Sequence, residues 1–314
     1  MPLPSFALLL LDAAGHALLL ADGPSGEILA ELPLPPGFMA IDLVRGPHPG
    51  QAFIPLAGDG GTGLLCRLDL ARRSLDALPL ALPHPACLAP AADGLSVYLA
   101  DPAGVLYVFD LGTGAGAAWE KPAGAQACTG LAAGPEEICG VWETDGGGLF
   151  AVYSPAGELV RTRRLGGIPT SLAAAPGGFV IPFAASPFSG EGVAVIPREN
   201  AAPPAVITLQ CSRCAAVRPS YPVHAAIAPD GQTAYIACED SAAVVMVDLA
   251  AGLVSGSFVL GRSVSRLAVT ADGRFAVATS NATADLCLID LVNRRLLAIT
   301  AGPREILSPL AIID

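Results

Sequence analysis

The sequence predicts an all-β chain folded as a single β-propeller of seven four-stranded blades, with six or eight as the alternative counts. Two near-copies of one unit lie back to back, HAAIAPDGQTAYIACEDSAAVVMVDLAAGLVSGSFVLG from His224 to Gly261 and RLAVTADGRFAVATSNATADLCLIDLVNRRLLAITAG from Arg266 to Gly302. Two landmarks inside them share one spacing: Asp230-Gly231 to Asp272-Gly273, and Asp248-Leu249 to Asp290-Leu291, are each 42 residues apart. Each unit also divides into four short apolar runs, and four strands in about 40–45 residues make a propeller blade. One such blade buries neither face alone, so several must pack together.

In the last unit the runs are 266–270, 275–279, 285–290 and 296–300, with Asp272-Gly273 supplying the two-residue chemistry of a tight hairpin between the first two. The third run closes in Asp-Leu, and it recurs as LCRLDL ending at Leu70, LYVFDL at Leu111, VVMVDL at Leu249 and LCLIDL at Leu291. Degenerate copies put Tyr153 and Ile196 at the aspartate position. The step after Ile196 is longer by roughly ten residues, which maps to the insertion LQCSRCAAVRPS. Three N-terminal strands (SFALLLLD, HALLLADG, EILAELPLP) lack a first partner, and LSPLAIID at the C-terminus has its character. The first blade is therefore expected to be closed by the C-terminal strand, leaving no open edge there. The expected blades are 307–314 with 5–36, then 37–84, 85–125, 126–168, 169–219, 220–262 and 263–306 of one domain spanning 1–314.

Composition fits buried strands joined by turns. The chain of 314 residues is 53% hydrophobic and 14% charged, with 35 Gly and 29 Pro spread throughout. No run of about 18 apolar residues implies a membrane-spanning helix. With 17 basic against 28 acidic residues the net charge is −11, a field that repels nucleic acid and anionic membranes. Arginine groups at 72–73, 161–164 and 294–295 fall at turns or strand ends, where charges are solvated. The N-terminal apolar stretch has no basic residue before it and Asp12 close behind, so no signal peptide is read and a cytoplasmic location is expected. A processed secreted form would read the same.

Blades six and seven carry a resemblance. HAAIAPDGQTAYIACEDSAAVVMVDL and SRLAVTADGRFAVATSNATADLCLIDL are similar to the YVTN-type repeat of seven-bladed propellers, the YncE-like family with its surface-layer-like repeats. The likeness is good over 223–303, fair over 86–111 and weak elsewhere. It implies the fold and no shared catalytic residue, and fold alone does not license a function.

Chemistry is therefore sought where propellers bind ligands, at the start of each innermost strand. Aligning blades on the Asp-Gly turn places His224, Arg266, Cys87, Thr129 and Ser171 at equivalent positions, with Pro309 in the shared blade and Asp42 nearest in blade two. His224 beside Arg266 suits an anionic ligand, or a general base with an electrostatic clamp. Solvated residues at a channel mouth would look alike. Tyr221 and His84 fall in the loops leading into inner strands and extend the candidate ligand-binding set.

Four histidines, at 16, 48, 84 and 224, do not make a metal ring, because His16 and His48 fall in turns; no metal or other cofactor is expected. Of eight cysteines, Cys66, Cys139, Cys238 and Cys287 read as small buried hydrophobes. Cys211-Ser-Arg-Cys214 lies in the insertion and suits a local disulfide or free thiols; a redox pair or half a zinc site are further options, without a βαβ context or further ligands to support them. Cys87 and Cys128 fall near the channel in adjacent blades and could pair, a geometry that sequence does not fix. No phosphate-binding loop, dinucleotide fingerprint or nucleophile elbow is present.

Two functions follow. The first is a non-enzymatic scaffold presenting loops to a protein partner or for self-assembly. The alternative is a small-ligand binder or hydrolase at the channel mouth, resembling the seven-bladed lactonases, with His224 and Arg266 carrying the chemistry and Ser171 or Thr129 orienting the ligand.

Overall fold

The computed structural model describes residues 6–12, 16–186, 190–199, 204–209, 221–280, 283, 285–301 and 306–313. The chain is an all-β, seven-bladed β-propeller, with seven small antiparallel sheets among the described residues. It divides into two compact units, one of Met1–Asp145, Leu149–Arg164 and Arg304–Asp314, the other of Gly146–Gly148 and Leu165–Pro303.

The first unit opens on a blade built from both chain ends. The C-terminal strand Ile306–Ile313 pairs antiparallel with Ala7–Asp12, which is followed outward by Ala17–Asp22 and Ile28–Pro33. Blade two runs from Phe38–Ala40 and Val44–Arg45 through Gln51–Gly58 and Thr62–Asp69 to Ser74–Pro83. Blade three is Cys87–Pro90, Ser96–Ala100, Leu106–Asp110 and Gly116–Trp119; blade four is Cys128–Ala133, Ile138–Thr144, Gly147–Tyr153 and Leu159–Leu165. In the second unit, blade five holds Ile168–Pro169 with Ala173–Ala175, then Gly178–Ala184, Gly192–Pro197 and Ala205–Thr208. Blade six is Pro222–Ile227, Thr233–Cys238, Ala243–Asp248 and Leu253–Val259, and blade seven is Arg266–Val269, Phe275–Thr279, Asp285–Asp290 and Arg295–Ala301.

Middle strands carry apolar residues on both faces, and within each unit neighbouring blades pack on them. Leu8 to Leu11 are all fully buried. Leu9 and Leu11 pack with Ile54 and Leu68 of blade two, whereas Phe53 and Leu65 on its other face pack with Val97 and Leu99 of blade three. Blades three and four join through Tyr98, Trp142 and Tyr153, and Trp142 Nε1 donates to the Gly104 carbonyl at 2.9 Å. In the second unit, Val244 and Met246 of blade six meet Leu267 and Ile289 of blade seven. Burying a side chain of this size contributes about 1.5–3 kcal/mol, so unbroken apolar bursts are what a two-sided strand demands.

The 42-residue repeat is a repeat of register. Thr233 pairs with Asp248 as Phe275 pairs with Asp290, and a bulge between Met246 and Val247 recurs between Leu288 and Ile289. Its aspartates are turn locks. Asp22, Asp69, Asp110, Asp248 and Asp290 each accept, through a side-chain oxygen, the backbone N–H three residues on, at 2.7–3.0 Å. The next residue takes a left-handed conformation, as Gly26, Gly114 and Gly252 do, with Arg73 (φ 49) and Arg294 (φ 52) in the same place in blades two and seven. Asp22 belongs to this set although no Leu follows it.

The Asp-Gly turns differ from the two-residue hairpin expected of them. Ala228 N–H bonds to Thr233 O at 2.8 Å and Thr270 N–H to Phe275 O at 3.0 Å, so each hairpin closes around four residues. The reason is the aspartate side chain. Asp93, Asp230 and Asp272 each accept the N–H two residues on at 2.9 Å, an Asx turn that consumes an extra residue beyond the glycine.

Candidate functional site

Ser171, Tyr221, His224 and Arg266 belong to the second unit. His224 and Arg266 hold the same register position in blades six and seven, opposite Ala237 and Thr279. The strand carrying His224 is bulged between Pro222 and His224, and the corresponding strand of blade five is interrupted between Pro169 and Ala173. A bulge frees backbone groups and re-aims side chains, so such breaks gather polar atoms that a regular ladder would not. Thr170 Oγ1 fills part of the gap, lying 3.1 Å from Pro182 O and 2.8 Å from Pro222 O of the neighbouring blade. Beside it Ser171 is only 6% exposed and its hydroxyl has no hydrogen-bond partner among the described residues.

His224 Nδ1 is likewise buried without a partner among the described residues, though the residue as a whole is half-buried. Burial first, and the Arg266 guanidinium second, push this imidazole down to about 3. It is neutral throughout the physiological range. A general base works best with a pKa near the working pH, so His224 suits hydrogen bonding rather than proton transfer. The arrangement offers one hydroxyl, one neutral imidazole and one guanidinium.

Tyr221 stands at φ 43 with an exposed ring, its N–H donating to Glu191 Oε2 at 3.1 Å. Sequence alignment on the Asp-Gly turn did not mark Thr170, nor Ser265, whose hydroxyl donates to Glu239 Oε1 at 3.2 Å. Thr170 was within reach as the neighbour of Ser171. Glu239 and Ser265 lie just outside the strands of blades six and seven, where no repeat landmark falls.

Thr129 and His84 belong to the first unit. Thr129 is the bulged residue between Cys128 and Gly130, and among the described residues neither its buried Oγ1 nor His84 Nδ1 has a partner. Cys87 and Cys128 do approach, yet as thiols rather than as a disulfide, with Cys87 Sγ donating to the Cys128 carbonyl at 3.2 Å. Cys66 and Cys287 are buried, and that burial raises both thiols to about 11, which makes them inert. Cys211 and Cys214 lie outside the described residues. Among the described residues no group of three His, Cys, Asp or Glu is placed to hold a metal, and no helix is long and apolar enough to cross a membrane.

No protein-family model and no curated protein matches the chain. Solved structures share its fold. A chain of hydrazine synthase from Kuenenia stuttgartiensis superposes with a TM-score of 0.72 at 13% identity, covering 88% of this chain and 90% of that one. A functionally unknown protein from Desulfotomaculum acetoxidans gives 0.72 at 13%, covering 98% and 99%. Apo AztD from Citrobacter koseri gives 0.61 at 13%, covering 99% and 98%. At such identities the likeness is one of fold, and it defines the chain as a seven-bladed β-propeller.

Proposed function

We propose that the chain is a YVTN-type, YncE-like propeller that acts by binding, presenting its outer strands and turns to a protein partner or to further copies of itself. One observation carries this reading. Leu95 (65% exposed), Val160 (63%), Val206 (64%), Val259 (75%) and Val292 (67%) set large apolar side chains in water on turns and outer strands. Scattered exposed leucines are ordinary; valines this bare on edge strands favour contact with another chain. The neutral His224 supports binding over catalysis. Affinity purification from the native host with mass spectrometry is expected to recover a partner that Val259→Asp and Val292→Asp release. A strictly monomeric chain with no partner would sink the proposal.

A second reading has its own support. The partnerless Ser171 hydroxyl and His224 Nδ1, with the Arg266 charge near the imidazole, suit a small anionic or lactone ligand. His224→Ala and Arg266→Ala each should weaken binding across a panel of lactones and small carboxylates. If both variants behave as the parent does, this reading ends.

A further inference from the structure

Blade two carries a cleft outside every candidate above. It has a volume of about 300 Å³ and is lined by His48, Gln51, Arg67, Asp69, Arg72 and Asp76, with Pro49, Gly50 and Leu68. Strand register explains the set. Arg67 stands opposite Phe53 on one side and Asp76 on the other, and Asp69 stands opposite Gln51, so Gln51, Arg67, Asp69 and Asp76 project from one face of the sheet. The turn before Gln51 brings His48 to the rim.

Charge in the cleft is balanced, and part of it is unspent. Arg72 Nε pairs with Asp69 Oδ2 at 3.6 Å, and Asp69 Oδ1 also accepts the Arg72 N–H at 3.0 Å. Arg67 and Asp76, by contrast, make no hydrogen bond or ion pair with any described residue although they are cross-strand neighbours. Gln51 Oε1 is buried with no partner among the described residues, against Gly46 rather than facing the cleft. The cleft thus presents an available guanidinium and an available carboxylate. A simple anion meets the carboxylate, and a simple cation meets the guanidinium.

We infer that the cleft binds a small zwitterion, specifically a free α-amino acid. Its carboxylate takes the forked Arg67 guanidinium, and its ammonium donates to Asp76. Both charges are then matched by charge-assisted bonds, and the volume, at the small end of ligand sites, suits a molecule of this size.

Isothermal titration of the full chain against the common amino acids, with acetate and methylammonium as half-ligands, tests this. At least one amino acid should bind at about 1 mM or tighter. Arg67→Met and Asp76→Asn should each weaken it by about tenfold or more, as loss of a charge-assisted bond does. Asp76 is exposed, so its variant leaves the fold intact even if Arg67→Met does not. Acetate and methylammonium should bind far more weakly. No amino acid bound at about 10 mM, binding that survives Asp76→Asn, or acetate binding as well as the amino acid would overturn the assignment. Because the cleft and the exposed valines are separate, loss of a protein partner in the purification leaves this test standing.

Discussion

Arg266 sits one blade on from His224 at the same register position, and its charge joins burial in keeping that imidazole neutral. The linkage to stability has a definite sign. The folded value of about 3 lies below the ordinary 6.5, so between those limits the unfolded chain binds the extra proton. His224 therefore costs nothing above about pH 6.5, and stability is lost as pH falls from there towards 3, by roughly 2–4 kcal/mol in all. Denaturant unfolding of the parent and of His224→Gln from pH 7.5 to 4 should show the parent's stability falling more steeply. Parallel curves would contradict the buried neutral state.

Arg73 and Arg294 occupy left-handed positions that glycine fills in the matching turns at Gly26, Gly114 and Gly252. An L-residue there carries about 1 kcal/mol of strain. Arg73→Gly and Arg294→Gly should accordingly raise stability by a few tenths to about 1 kcal/mol, after the larger chain entropy of unfolded glycine is subtracted. Gly252→Ala should lower it by about 1 kcal/mol. Urea midpoints decide the matter, and a loss in both arginine variants would refute the strain argument.

Gly104 fixes the approach of blades three and four. At φ +81 it would place an added Cβ 1.9 Å from Gln126 O, and its carbonyl receives the Trp142 indole N–H. Gly104→Ala is expected to cost about 3 kcal/mol or more, because backbone must move in a packed core. Trp142→Phe, which leaves that carbonyl without its donor, should cost about 1–3 kcal/mol. Thermal melts followed by tryptophan fluorescence in the glycine variant distinguish this from a tolerant loop, where little would change.

Removing 304–314 strips the first strand from blade one. Ala7–Asp12 would then show an unpaired edge flanked by buried leucines, a template for aggregation. The truncated chain should turn insoluble or melt far below the parent. A soluble, equally stable product would mean that the closure is dispensable.

Much of this architecture was legible because propeller blades repeat their register. Aspartates 248 and 290 announced both the period and the turn, since the same carboxylate locks both. The terminal pairing was legible from an N-terminal blade one strand short. What escaped has a common physical cause. The four-residue hairpins, the bulge at Thr129 and the split first strands of blades two and five all depend on where individual N–H groups bond, and residue type hardly records that. His84, Thr129, Ser171 and His224 stand out in the blade alignment, but their shared lack of a partner among the described residues emerges only from three-dimensional burial. The cleft at Arg67 was hidden more completely, because its members come from three strands and a turn with no repeat landmark except Asp69.

The blade shared by the two chain ends also dictates a schedule. Ala7–Asp12 is synthesised well before its partner Ile306–Ile313. At about 5–20 residues per second, the N-terminal strands wait on the order of 15–60 s for the residue that completes them. Throughout that interval a run of leucines stands with one edge bare, so the newborn chain is vulnerable at this strand. A circularly permuted chain beginning near residue 304, which makes this strand first, should need less chaperone protection during synthesis than the natural order.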